Sequence, residues 1–236
     1  MEKIIKRKRT EQHNIKYGSD FYKFIDEYCF KSKNLYNYAN YIVRQEFINN
    51  NKWIHYNELF QLVKESDPYK EIGSNTGQGT LRILDKMWKS FFVAIKDWAR
   101  YPNKYLGRPK IPKYKAKGGR FVLSLDSNKV KLKNGYVYFA WKPFKKFNNL
   151  FRTYAKDRIL QCRFIPKCRK YVMEIVYEIE VPNILEPSNR VAAIDIGVDN
   201  FITMVNNIGE NPIAVKGGII KSINQFYNKQ KANIQS

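Results

Sequence analysis

Arg190-Val-Ala-Ala-Ile-Asp-Ile-Gly-Val-Asp-Asn-Phe-Ile-Thr-Met-Val205 is the stretch on which the reading of this chain turns. Val191 to Ile194 is a continuous apolar run, the pattern of a central strand buried on both faces. Asp195 ends the run. A buried carboxylate without a partner is costly, so an acid at this place calls for a cation. Gly197 removes a side chain where a ligand can come close. Asp199-Asn200 reads as a hairpin turn, Phe201 to Val205 as a returning strand, and Gly209-Glu-Asn211 as a second turn before Ile213-Ala-Val215. A helix starting near Ser222 follows, with Ile223, Phe226 and Tyr227 on one face.

Outside that stretch, charge is the strongest signal. Of 236 residues 43 are Lys or Arg against 21 Asp or Glu, a formal net charge of +22. A field of that size attracts polyanions and makes their binding salt-sensitive, so nucleic acid is the expected partner and a membrane surface is not. The aromatic share is 15%, and the 17 tyrosines suit half-wet surfaces that face a partner. No apolar stretch approaches the roughly 20 residues of a membrane span, and MEKIIKRKRT lacks the apolar block of a signal peptide. Cys29, Cys162 and Cys168 have no CxxC spacing and only His13 and His55 to help, so no zinc site is expected within this chain. Scattered thiols in odd number fit a reducing interior, and the chain reads as cytoplasmic.

The fold class read from the pattern is α+β, with several domains. Residues 1–18 hold a basic segment, Lys3-Ile-Ile-Lys-Arg-Lys-Arg9, which reads equally as the first strand of a sheet or as a frayed tail. Residues 19–100 are helical in texture. Ser19 or Asp20 caps a stripe of Phe21, Phe24, Ile25 and Tyr28, which continues to Phe47, and Asn49-Asn-Asn51 stops it. A second helix from about Tyr56 to Lys64 ends at Asp67-Pro68. Gly73, Gly77 and Gly79 surround a loop, and Leu81, Leu84, Trp88, Phe91, Phe92 and Ile95 form a third stripe. Residues 101–120 are rich in Lys, Arg, Pro and Gly and hold no acid, which predicts an extended connector, mobile when free and ordered along phosphates. Across residues 121–184, about five short alternating strands with Asp126-Ser-Asn128 and Asn134-Gly135 turns predict a small antiparallel barrel. Pro182 to Pro187 is read as a boundary, and residues 188–236 as the last unit.

Three meandering strands and a helix, with an acid on the first strand, resemble the opening of a ribonuclease-H-like fold. In that fold the acid holds Mg²⁺, and a metal pair activates water for phosphodiester hydrolysis. One carboxylate is not enough for a hard cation. Asp199 and Glu210 are the other candidates, each read as a solvated turn residue. An alternative is an actin-like ATPase or kinase fragment, whose Asp-x-Gly hairpin holds phosphate. That group places Thr or Ser soon after the glycine, whereas Val198 and Asp199 stand here.

Taken in order, the basic first strand, the helical insert, Gly107-Arg-Pro-Lys-Ile-Pro-Lys-Tyr-Lys115, the barrel, Ala193-Ile-Asp-Ile-Gly-Val-Asp-Asn-Phe201 and Lys221-Ser-Ile-Asn-Gln-Phe-Tyr-Asn-Lys229 are similar to the TnpB family. These are the OrfB-type transposases of insertion sequences, RNA-guided nucleases related to type V CRISPR effectors. The resemblance implies a recognition-type helical insert in a wedge-like barrel that grips guide RNA and neighbouring DNA. It makes Asp195 the first catalytic and metal-binding acid of a RuvC-like domain, with Mg²⁺ as cofactor. Asp199 stands where the family often has another residue. The family's later Glu, its four-cysteine zinc finger and its final Asp have no counterpart before Ser236. The expectation is therefore a truncated homologue that binds nucleic acid and does not cut it alone; the alternative is a non-enzymatic nucleic-acid-binding fragment. Lys3, Lys6, Arg7, Lys8 and Arg9 in the first strand are candidate phosphate contacts. Arg108, Lys110, Lys113, Lys115, Lys117 and Arg120 in the connector join them, as do Lys142, Lys145, Lys146, Arg163, Lys167, Arg169 and Lys170 in the barrel. A sheet interrupted after its first helix leaves an edge and an apolar face uncovered, which predicts disorder or self-association in the last forty or so residues.

Overall fold

Helix α1 (Asp20–Asn50) begins where Ser19 Oγ accepts the Tyr22 N–H at 3.1 Å, and it ends where Asn51 turns left-handed at φ +51°. This computed structural model describes residues 5–181, 189–197 and 199–235; Lys3 and the boundary expected at Pro182 to Pro187 lie outside them. Three more helices follow, α2 (Tyr56–Val63), α3 (Asp67–Ile72) and α4 (Ser74–Arg100). Asp67-Pro68 starts α3 instead of closing α2. Proline in a first turn lacks only an N–H that has no helical acceptor there. The loop expected around three glycines shrinks to Gly73, at φ +84°, since Gly77 and Gly79 lie inside α4. A Cβ on Gly77 would meet the Tyr69 ring at 2.7 Å, and one on Gly79 would meet Ser124 Cβ at 3.3 Å. The two glycines are notches that let α4 close on α3 and on the neighbouring strand.

Six strands accompany the helices: β1 (Ile5–Lys16), β2 (Leu123–Asp126), β3 (Val130–Lys133), β4 (Tyr136–Phe139), β5 (Ile159–Lys167) and β6 (Lys170–Val181). The basic first segment is thus a strand, antiparallel to β6 along its whole length. The expected barrel does not close. Four strands form an open antiparallel sheet in the order β1-β6-β5-β2, and β3–β4 is a separate hairpin whose turn residues Asn134 and Gly135 both have positive φ. Aromatic packing takes the place of closure. Phe21 of α1 stands within 6.1 Å, centroid to centroid, of Phe139 on β4, Phe147, Phe151 and Phe164 on β5. Those rings link the sheet to the hairpin without a bridging strand. Ile25, Leu35, Tyr36, Leu84, Trp88, Met173 and Ile175 continue the same buried core.

The first compact unit spans 4–181, and a second takes in the described residues from 189 onward. Its described part is the expected meander, β7 (Ala192–Asp195), β8 (Asn200–Asn206) and β9 (Ile213–Lys216) in that order, followed by α5 (Gly218–Gln235). The helix begins ahead of Ser222. The burial expected of β7 is absent: Val191 is 61% and Ile194 59% exposed, and no described side chain of α5 is buried. Among the described residues β7 has one neighbour, β8, in its sheet. Apolar patterning marks a strand suited to burial, but only a covering layer removes it from water.

Candidate nucleic-acid interface

Residues 105–120 contain no strand or helix, so their backbone polar groups need partners from elsewhere. Helix α1 supplies them. Asn40 Nδ2 and Arg44 NH1 donate to the Pro112 carbonyl at 3.0 and 2.9 Å, and Tyr36 OH donates to that of Lys113 at 2.9 Å. Asn37 donates to the Lys115 carbonyl at 2.9 Å and accepts the Lys115 N–H at 2.8 Å, and Lys33 Nζ reaches the Lys117 carbonyl at 2.8 Å. The connector expected to be mobile is therefore held along α1. Burial raises the Tyr36 hydroxyl to about 12, which keeps it a donor, and burial lowers the Lys33 ammonium. Asn40 is fully buried and also accepts Trp88 Nε1–H at 3.0 Å, so one residue ties α4 and the connector to α1.

The candidate cations of this region separate into two groups. Arg108, Lys110, Lys113 and Lys117 are exposed. Lys115 is partly buried, about 5.5 Å from the Tyr36 and Phe121 rings. Arg120 is committed: its Nε and NH2 meet the two Asp26 oxygens at 2.9 and 2.6 Å. That fork, with a hydrogen bond from Tyr171 OH at 2.7 Å, holds the Asp26 carboxyl below the ordinary carboxylate range against the opposing effect of burial.

On the sheet, register decides which cations are free. Lys6 and Lys8 stand opposite Glu180 and Glu178, with Lys6 Nζ 3.8 Å from Glu180, while Arg7 and Arg9 stand opposite Ile179 and Tyr177. Arg163 NH2 binds Glu174 at 2.6 Å. Lys167 and Lys170 flank the tip of the β5–β6 hairpin, where Arg169 is left-handed at φ +54°. Lys142, Lys145 and Lys146 lie exposed in the 3-10 turn Lys142–Phe147.

A further set was missed in the sequence. Arg82, Lys86, Lys89, Lys96 and Arg100 recur at helical spacing along α4 and are all exposed, a basic stripe over roughly 27 Å. The acids of the helix are engaged off the stripe, Asp85 by the Tyr56 N–H at 3.2 Å and Asp97 by Tyr105 OH at 2.8 Å. The signal was present as the polar complement of the Leu81–Leu84–Trp88 pattern. A groove of about 680 Å³ runs between α4, the connector and β5, lined among others by Lys86, Lys110 and Arg163.

Asp195 ends β7 opposite Thr203 and is exposed. Asp199, in the turn, pairs with Lys221 of α5, which holds its carboxyl below the usual range. Glu210 lies exposed in the next turn, its N–H bonded to Asn206 Oδ1 at 3.1 Å. Gly197 serves the hairpin: its N–H donates to the Asn200 carbonyl at 3.1 Å, and a Cβ would come within 3.0 Å of that oxygen. Among the described residues no three of His, Cys, Asp and Glu come together as a metal site. A divalent cation needs several oxygen donors, and these residues do not provide them.

No family model matches the chain, and no curated protein matches it. Among solved structures the chain is similar to a Cas12f1–sgRNA–target DNA complex, at 12% identity and TM-score 0.32, over 96% of this chain and 62% of that one. It is also similar to a CRISPR-Cas12f ternary complex, at 9% identity and TM-score 0.38, over 90% and 52% respectively. The chain thus spans between half and two thirds of the length of these two structures.

Proposed function

We propose that this chain is a nucleic-acid-binding protein of TnpB/OrfB type, which grips the phosphate backbone of RNA and DNA and does not cut it unaided. The observation that carries the reading is the fixed basic surface. Lys113 and Lys117 are exposed on a backbone whose carbonyls α1 already holds, and Lys110 lines one groove with Lys86 of the α4 stripe. Cations on a pre-ordered backbone bind a polyanion without first losing chain entropy. The sequence resemblance supplies the identity of the partners, a guide RNA and its DNA target. Asp195 is then the first acid of a RuvC-like nuclease site, and the reason for inertness is that among the described residues no metal-binding group of acids forms around it.

Fluorescence anisotropy of labelled single-stranded DNA and RNA across a salt series tests the binding. Log affinity should fall with log salt by roughly 0.7 per phosphate contacted; affinity that stays flat from low to moderate salt overturns the reading. Incubation with Mg²⁺, a guide RNA and matched DNA should leave the DNA intact. Cleavage that disappears in Asp195→Ala would show that the site is complete after all.

A further inference from the structure

Met87 and Phe91 of α4, Pro109 and Lys110 of the connector, and Gln161 and Arg163 of β5 line the groove described above. Its volume, about 680 Å³, falls within the roughly 300–1,000 Å³ of small-ligand sites. Its two sides differ in chemistry. On the α4 side Met87, Phe91 and Ala94 form an apolar, partly aromatic wall edged by Lys86 and Ser90, and Pro109 adds a ring without a backbone N–H. The β5 side presents polar Gln161 and Arg163 next to Ile165. Gln161 Nε2 donates to Ser124 Oγ at 2.8 Å, which leaves the amide oxygen as an acceptor. Arg163 gives NH2 to Glu174 at 2.6 Å, its Nε–H is buried without an acceptor, and the side chain is partly exposed along the groove. No Asp or Glu lines the groove, while Lys86, Lys110 and Arg163 do. Charge therefore selects an anion, and the apolar side selects a flat, poorly hydrated group on the same ligand.

We propose that this groove receives one unstacked nucleotide of a bound strand, its base against Met87 and Phe91 and its phosphate against Lys110. The Gln161 oxygen and the Arg163 guanidinium offer an acceptor and a donor to the edge of that base. A base held in a duplex cannot enter, because both its faces and its pairing edge are occupied, so the occupant is single-stranded. The proposal rests on the nucleic-acid reading above and deepens it. It adds a contact to a base where that reading needs phosphates alone.

Two fluorescein-labelled strands with equal numbers of phosphates test it on the full chain at one salt concentration. One is oligothymidylate, the other an abasic phosphodiester of the same length, with oligouridylate as an RNA arm. The base-bearing strands should bind at least about tenfold more tightly, within the range that one base stacked on an aromatic side chain contributes. Ala94→Leu narrows the groove, and it should erase most of that advantage while leaving the abasic strand's affinity unchanged. Gln161→Leu, which removes the acceptor at similar size, should reduce the advantage several-fold and provides the test if the first variant does not fold. Equal affinity of the chain for base-bearing and abasic strands overturns the groove assignment and leaves phosphate binding standing. An undiminished advantage in either variant, once it is shown to be folded, also overturns the assignment. If neither strand binds, the nucleic-acid reading itself falls, and this assignment with it.

Discussion

Asp26 shows at the scale of one residue how an acid is used in a chain with so few. It receives two bonds from Arg120 and one from Tyr171, and so joins α1 to the end of the connector and to β6. Its carboxyl is depressed chiefly by the Arg120 bonds. The stability it confers is therefore fully present above about pH 4, the unfolded carboxyl range, and is lost as pH falls through the lower native value. Asp26→Asn should cost about 1–3 kcal/mol at neutral pH. In urea titrations, the gap between the two proteins should narrow steadily below pH 4. A gap independent of pH would mean that Asp26 acts by shape and not by charge. Asp195 is the opposite case. It is exposed, and its nearest acid in sequence, Asp199, is occupied by Lys221.

Among the elements, the connector and α4 divide the work of presenting charge. Asn37 makes two bonds to Lys115, one to the carbonyl and one from the N–H. Asn37→Ala should destabilise by about 1–3 kcal/mol, and the Lys115 amide should exchange with solvent faster than in the parent. Unchanged exchange there would remove the claim that α1 holds the connector. On α4, Lys89 and Lys96 are exposed and make no ion pair among the described residues. The double change to Ala should leave the unfolding free energy within about 0.5 kcal/mol. It should also lower the salt slope of nucleic-acid binding, by up to about 2 if both lysines meet phosphates. An unaltered slope would take the stripe out of the interface. The apolar stripes of α1 and α4, the β5–β6 pair and the Asn134-Gly135 turn were legible in sequence because periodicity and turn chemistry are local. The helical glycines were not, because what they fit, the Tyr69 ring and Ser124, is brought there by tertiary packing.

At the scale of the whole molecule, the two units differ in what protects them. Residues 4–181 share a dense core of aromatic and aliphatic side chains, while the described strands and helix beyond 188 bury almost none. Local opening free energy follows buried contact, so amides of β8 should exchange well ahead of those of β6 in the same sample. Equal protection would show that another surface covers the meander. The open sheet, in place of a barrel, was not legible in the sequence, because strand patterns name faces and turns but not the partner of an edge strand. The threading of the connector has a last consequence. Positions 44, 40, 37, 36 and 33 of α1 engage carbonyls at 112, 112, 115, 113 and 117, so the two segments run in opposite directions with their contacts set by length. Swapping one lysine for another residue leaves that alignment untouched, whereas deleting a single residue near Tyr114 offsets every contact beyond it. Unlike most surface segments, this one should accept changes of letter and refuse changes of length.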